Sequence, residues 1–365
     1  MTAGRHGRRV IALVAAGAVA LAGCGSAARR PPPGPPGRLE LGLPLRDAVA
    51  QLFAVGFAGK DPRAPLVARL RTRAWGVVVL EPPNAVAPEQ TGALVRALVD
   101  AGTRGGRPAP LVAAAEPEAF PGVRMDPPPA QGSPSVTRDQ ARAAAGVLRA
   151  AGVGAVLAPS ADLGLTGGPA EDRAFGSDPA LVARLAREAV VGWLAGRVAP
   201  VVGMFPGEGS ASQDTQAGPA TVGESLGDLR ERDLRPFAAA LEAGAPAVEL
   251  SDALYAAFDG VTPAALLPDG YRLLRRTGFE GVAMTGDVVA ATAATGAGVG
   301  AAAVEALRAG ADLIYVPGDA ANQEEAYRAV LAAVRRGRVT RERLADALLH
   351  VAALKRSVTE RTNAR

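Results

Sequence analysis

The chain has 365 residues, with 40 Lys and Arg against 36 Asp and Glu, two histidines and one cysteine. A single cysteine excludes an internal disulfide and any cysteine-rich metal site. Bases and acids are interspersed rather than sorted into a basic stripe, which excludes the electrostatic footprint of a nucleic-acid binder.

In chain order, Arg5, Arg8 and Arg9 come first, followed by an apolar and small-residue stretch from Val10 to Gly23. A basic head and an apolar run of that length read as a signal peptide, too short to span a bilayer comfortably as a helix. The run closes on Leu21-Ala22-Gly23-Cys24, which resembles the bacterial lipobox, with Cys24 at the position lipidated after cleavage. The expectation is a leader over 1–23, a lipid on Cys24 and attachment to the extracytoplasmic face of a cell membrane. Acyl chains contribute about 0.8 kcal/mol per buried CH2, so more than one makes a durable anchor. Removing Arg5, Arg8 and Arg9 with the leader lowers the formal charge from +4 to near +1. Residues 24–40 read as the lipidated cysteine and a Pro-rich tether, whose preferred polyproline II form extends about 3.1 Å per residue.

From Leu45 onward, short apolar runs alternate with longer amphipathic segments. The predicted strands are Leu52–Phe57, Trp75–Leu80, Pro110–Ala115, Ala155–Pro159, Pro200–Met204, Ala247–Leu250, Gly281–Thr285 and Asp312–Val316. They are continuously apolar rather than alternating, as strands buried on both faces are. Helical patterns lie at 87–102, 137–151, 178–196, 225–243, 262–276 and 319–337, and a final one at 341–356 follows Thr340 as its N-cap. Eight strand–helix alternations predict an α/β fold, a (β/α)8 barrel of the TIM type, ahead of a doubly wound open sheet. The barrel is expected as one domain over 41–356, with a polar tail at 357–365. Such a barrel works at the C-terminal ends of its strands. Those ends and the loops after them carry Glu81, Glu116, Glu118, Asp162, Arg173, Glu208, Asp214, Asp252 and Asp287.

Four segments then occur in a recognisable order. They are Ala158-Pro159-Ser160-Ala161-Asp162, the run from Glu171 through Arg173 to Pro179, Phe205-Pro206-Gly207-Glu208-Gly209, and Leu273-Leu274-Arg275 with Gly278 to Val282. Together they resemble glycoside hydrolase family 3, specifically the single-domain bacterial β-N-acetylglucosaminidases of cell-wall turnover. The likeness runs from about Leu45 to Lys355. It implies a barrel that hydrolyses O-glycosyl bonds, no cofactor, and a cell-wall glycan or amino sugar as ligand. It also implies that Arg173 contacts the bound sugar or its acetamido group, with Glu116 near the place of a sugar-binding carboxylate. Asp162 either holds Arg173 in a buried pair or contacts the ligand itself. Phe120 offers a stacking face to a sugar or plugs the pocket.

The departures from the family pattern fall on the chemistry. The family nucleophile follows Ser or Thr at the end of the seventh barrel strand, and here Thr285 is followed by Gly286 and then Asp287. The acid/base histidine corresponds to Gln216, behind Asp214 and Thr215. The family's sugar-binding Lys-His pair is Gly203-Met204, the next histidine is Glu208, and an Ala-His pair is Ser251-Asp252. The two histidines, His6 in the leader and His350 among apolar neighbours in the last helix, are elsewhere. Glutamine has no titratable proton to give, and glycine has no side chain with which to attack. Asp287 faces away from the sugar by strand alternation unless Gly286 twists the backbone, and its other role is to cap Val288–Thr295.

Two functions follow. One is a lipid-anchored, carbohydrate-binding or scaffolding pseudoenzyme without the family's standard hydrolysis. The other is an active β-glycosidase using Asp287 with Asp214 or Glu208, which requires carboxyls about 5–5.5 Å apart for retention or about 6.5–9.5 Å for inversion. There is no Gly-rich phosphate loop and no metal-ligand spacing, so neither metal nor cofactor is expected.

Overall fold

In the computed structural model, which describes residues 42–363, every predicted apolar run overlaps a strand. In chain order the strands are β1 (Phe53–Val55), β2 (Val77–Leu80), β3 (Leu111–Ala115), β4 (Ala155–Leu157), β5 (Ala199–Phe205), β6 (Thr221–Val222), β7 (Ala247–Leu250), β8 (Leu254–Tyr255), β9 (Val282–Asp287) and β10 (Leu313–Val316). All but β6 and β8 form a closed barrel in the order β1-β10-β9-β7-β5-β4-β3-β2, with every neighbouring pair parallel. This is the (β/α)8 barrel predicted. Its strands are buried on both faces, inside by one another's side chains and outside by helices, hence their unbroken apolar character. The expected leader, Cys24 and the whole tether lie outside the described residues.

The seam is the β1–β10 pair, in register at Phe53–Ile314, Ala54–Tyr315 and Val55–Val316. The last helix reinforces it, because Lys355 Nζ donates to Gln51 Oε1 at 2.7 Å, and Gln51 Nε2 donates to the Ala74 carbonyl at 2.6 Å. Gly76 is required beside that contact: a Cβ there would overlap the Gln51 carbonyl oxygen.

Three departures from the sequence reading have physical causes. The helical pattern at 225–243 is two helices, Leu226–Glu231 and Leu234–Glu242. A continuous helix would place Pro236 in its interior, where the ring clashes with the preceding turn; the break moves it into a first turn, where proline is tolerated. The tail expected at 357–365 is helical as far as Asn363. Val351, Leu354 and Val358 continue one apolar stripe into the core, so the helix has reason to go on. The helix Val299–Ala309 is an addition to the predicted set.

At the N-terminal end of the barrel, Asp312 is fully buried just before β10. It accepts from Arg275 Nη2 and Arg343 Nη2 at 2.6 Å each and from the Ala283 amide at 3.0 Å. His350 Nδ1 stands 3.1 Å from its Oδ1, in contact but out of line for a good hydrogen bond. Burial alone would raise the Asp312 carboxyl; His350 and the Arg343 charge outweigh it and hold the group low. His350 therefore sits against this ion cluster rather than in a purely apolar setting.

Candidate functional site

The loops after β4 and β5 bring Asp162, Arg173, Glu208 and Asp214 together. Asp162 follows β4 and is buried. Its Oδ2 accepts from Ser160 Oγ at 2.9 Å and the Met204 amide at 3.3 Å, and its Oδ1 from the Glu208 amide at 2.8 Å. It ties the β4 loop to the end of β5. Asp162 makes no direct hydrogen bond to Arg173, whose guanidinium is nonetheless close enough to feel its charge. Burial raises its carboxyl, while the Arg173 charge and these donors pull it back.

Arg173 is held instead by acids from the β5 loop. Nη2 donates to Glu208 Oε2 at 3.2 Å, and Nη1 donates to Asp214 Oδ2 at 3.1 Å and to the Pro169 carbonyl at 2.9 Å. The planar fork of a guanidinium suits such a two-acid clamp. Burial works against the Arg173 charge, but Asp162, Glu208 and Asp214 together outweigh it. The side chain is 37% exposed, so one flank faces outward. Glu208 is buried behind it, its other oxygen accepting from Ser251 Oγ at 2.7 Å. Burial and the neighbouring Asp162 push Glu208 up to about 7. Asp214, on the rim, spends its second oxygen on the Gln216 amide at 2.8 Å. Gln216 itself is exposed.

The alternative catalytic pair is tied to different partners. Asp287 Oδ1 accepts from the Val289 amide at 2.7 Å and the Ala290 amide at 3.2 Å, capping the helix Val288–Thr295 as its second role foresaw. Asp214 and Glu208 are bound to Arg173. Glu116, after β3, has φ 45° and is exposed; among the described residues none of the bonds above reaches it. Phe120 is buried in a crevice with Pro88, Pro121 and Val147, in the helix layer rather than over the mouth.

Two further acids from the β7 segment complete the arrangement: Asp252, expected at the mouth, and Glu249, which the sequence reading missed. Glu249 lies within β7 and leans on Gly203 of β5: a Cβ on Gly203 would stand 3.4 Å from Glu249 Cβ and 3.5 Å from Oε2. Asp252 follows β7 and leans on Gly286 of β9. A Cβ on Gly286 would overlap Asp252 Oδ2 and stand 2.8 Å from its Cγ. Asp252 thus takes the room of a side chain at Gly286, whereas Glu249 lies only in ordinary contact with the face of Gly203. Burial and Glu208 push Glu249 up to about 8. Burial, then the charges of Glu208, Asp287 and Glu249, raise Asp252 well above the carboxylate range. Neither Asp252 oxygen has a hydrogen-bond partner of ordinary geometry, although the Asp287 amide lies close by. The signal for Glu249 was a carboxyl inside a run predicted to be buried on both faces. On the next barrel edge, Tyr315 OH donates to Glu81 Oε1 at 3.2 Å.

Residues 45–354 match the family described as glycosyl hydrolase family 3 N terminal domain. The chain belongs to that family. Over 189 residues it is 34% identical to a β-hexosaminidase of Xanthomonas oryzae pv. oryzae, which is 50% of this chain and 55% of the relative. The family 3 chain therefore spans about half the length of the curated relatives it matches. Among solved structures it is similar to a family 3 β-N-acetylglucosaminidase of Paenibacillus, with a TM-score of 0.81, 30% identity, and 87% of this chain and 63% of the other covered. It is also similar to a β-N-acetylhexosaminidase of Beutenbergia cavernae, with a TM-score of 0.77, 28% identity, and 86% and 98% covered.

The family 3 mouth in this chain is thus an acid-lined floor with one guanidinium clamp. A crevice of about 650 Å3, lined by Pro110, Gly154 and Lys355 among others, includes none of these acids. Chemically the mouth can donate from Arg173 to hydroxyl or carbonyl oxygens and can accept from ligand N–H or O–H groups.

Proposed function

We propose that this family 3 protein binds a cell-wall glycan or amino sugar at the barrel mouth without the family's standard hydrolysis. It does so held to the extracytoplasmic face of the membrane through a lipid on Cys24. The observation that carries the reading is the pairing of Gly286 with Asp252. The residue after Thr285 has no side chain, and burial and the neighbouring acids disfavour the charged form of the carboxyl beside it. A neutral carboxyl is a poor nucleophile. Asp287 is bound to a helix end and Glu208 is engaged at both oxygens. What remains is recognition, through the outward flank of Arg173 and the acids beneath it.

The purified chain is expected to leave a chromogenic aryl β-N-acetylglucosaminide intact while binding cell-wall glycan fragments. Hydrolysis that disappears in Asp252→Asn or Asp287→Asn overturns the reading. For the anchor, Cys24→Ser is expected to release the protein from the membrane fraction, and retention there would overturn it.

A second reading has one observation in its favour. Glu208, at about 7, has the poise of a general acid at neutral pH, and it lies close enough to Asp252 for its charge to act on that carboxyl. In that case turnover depends on both Glu208 and Asp252, which the same assay detects.

A further inference from the structure

The last helix, Arg341–Asn363, crosses the floor of the barrel, at the end away from the mouth. Arg343 Nη2 donates to Asp312 Oδ1 ahead of β10 at 2.6 Å, and Lys355 Nζ donates to Gln51 Oε1 ahead of β1 at 2.7 Å. Farther along, Val358 covers Gly154 ahead of β4, where a Cβ would stand 2.8 Å from Val358 Cγ1. All three contacts are at N-terminal strand ends. Between this helix and the ends of the helices Pro88–Gly102 and Pro134–Ala150 lies the crevice of about 650 Å3. That volume falls in the range of small-molecule sites, about 300–1,000 Å3. Val99, Pro110, Leu111 and Val153 give it apolar walls. Three cations also line it, Arg149, Lys355 and Arg356, against one acid, Glu360.

These cations lack counter-charges. Lys355 is partly buried, and its one hydrogen bond among the described residues goes to the neutral amide of Gln51. Burial lowers its ammonium to about 8, which leaves it mostly charged at neutral pH, and no acid acts to hold it up. Arg149 and Arg356 are exposed, and among the described residues neither is in an ion pair. A cation drawn partly out of water is ordinarily paired. An anion supplies the missing partner, and an apolar tail behind it gains from the walls.

We infer that this crevice binds a single-chain amphiphilic anion of the fatty-carboxylate class, its chain against the apolar walls and its carboxylate among Lys355, Arg149 and Arg356. The site lies at the opposite end of the barrel from the mouth and stands independently of the glycan-binding reading. A neutral apolar ligand leaves the three cations unanswered, and a short anion leaves the walls wet.

The test is calorimetry at neutral pH on the full chain carrying Cys24→Ser, which needs no detergent to compete for the crevice. The probes are laurate, below its micellar concentration, and its uncharged counterpart 1-dodecanol. Laurate is expected to bind saturably and at least about tenfold more tightly than dodecanol, the equivalent of one charge-assisted hydrogen bond. Lys355→Met is expected to lose about tenfold of laurate affinity while leaving dodecanol unchanged. Should that variant fail to melt like the parent, the exposed pair Arg149→Gln with Arg356→Gln is expected to give the same selective loss. Ala109→Phe, on the loop before β3 and lining the same crevice, is expected to abolish binding of both probes. Equal binding of the two probes overturns the inference, as does laurate binding that none of these variants moves. Saturable binding to phosphatidylglycerol vesicles with none to laurate overturns it in favour of a membrane surface. A dimer in sedimentation that Ala109→Phe splits overturns it in favour of a second copy of the chain.

Discussion

Asp252 stands in the space that a side chain on Gly286 would need, its Cγ 2.8 Å from where a Cβ would be. The two positions therefore act as a pair, and restoring one alone is unfavourable. Gly286→Ala is expected to destabilise the protein by about 1–3 kcal/mol, the usual cost of overpacking. In an Asp252→Ala background the same change is expected to cost much less. Chemical denaturation of the four members of this double-mutant cycle measures the coupling, and additive effects would show that the overlap is relieved elsewhere.

Arg173 is the clamp that compensates Glu208. Removing it leaves a buried carboxyl facing Asp162 without its cation. Arg173→Ala is expected to destabilise by about 1–3 kcal/mol, below the full cost of breaking a buried pair because the side chain is 37% exposed. Arg173→Lys keeps the charge but loses the two-acid fork, and is expected to fall between the two in urea midpoint.

The acid floor makes stability depend on pH in an unusual direction. Glu208 and Glu249 are pushed up to about 7 and about 8, against ordinary values of 4.5. Their folded forms hold protons that the unfolded chain gives up. The stability they contribute is therefore fully present below about pH 4.5 and is lost as pH rises through about 7 and 8. The melting temperature is expected to fall between pH 6 and 9, a loss on the order of a few kcal/mol at most. Glu249→Gln is expected to flatten that slope; a slope unchanged by it would reject the assignment.

Asp287 serves a helix end. Asp287→Ala is expected to cost about 1 kcal/mol through loss of the cap, while Asp287→Asn, an equally good cap, is expected to be nearly neutral. Thermal unfolding of the two variants separates capping from any role that needs a carboxylate.

The barrel is legible in the sequence because its strands are unbroken apolar runs and its helices carry an apolar stripe. Pro236 even marks where a predicted helix divides. The helix Val299–Ala309 is harder to read: its alanines and glycine give little contrast between faces. In the site, Arg173, Glu208 and Asp214 are found from their loops, but their mutual clamp is not, because Asp162 is an equally plausible partner on paper. The matching of Gly286 with Asp252, and of Gly203 with Glu249, is invisible in one dimension. Each pair comes from different strands, and only closing the barrel brings the glycine beside its acid.

The β1–β10 seam has a consequence for how the molecule is made. One edge of β1 waits for a strand near the far end of the described fold, and the Lys355–Gln51 contact waits longer still. A polypeptide emerging from its N-terminal side can pair β1 with β2 early, yet its other edge remains an open template until nearly everything else has been delivered. Premature arrest or late truncation therefore leaves an exposed sheet edge rather than a smaller stable protein, and such fragments are expected to be aggregation-prone substrates for quality-control proteases.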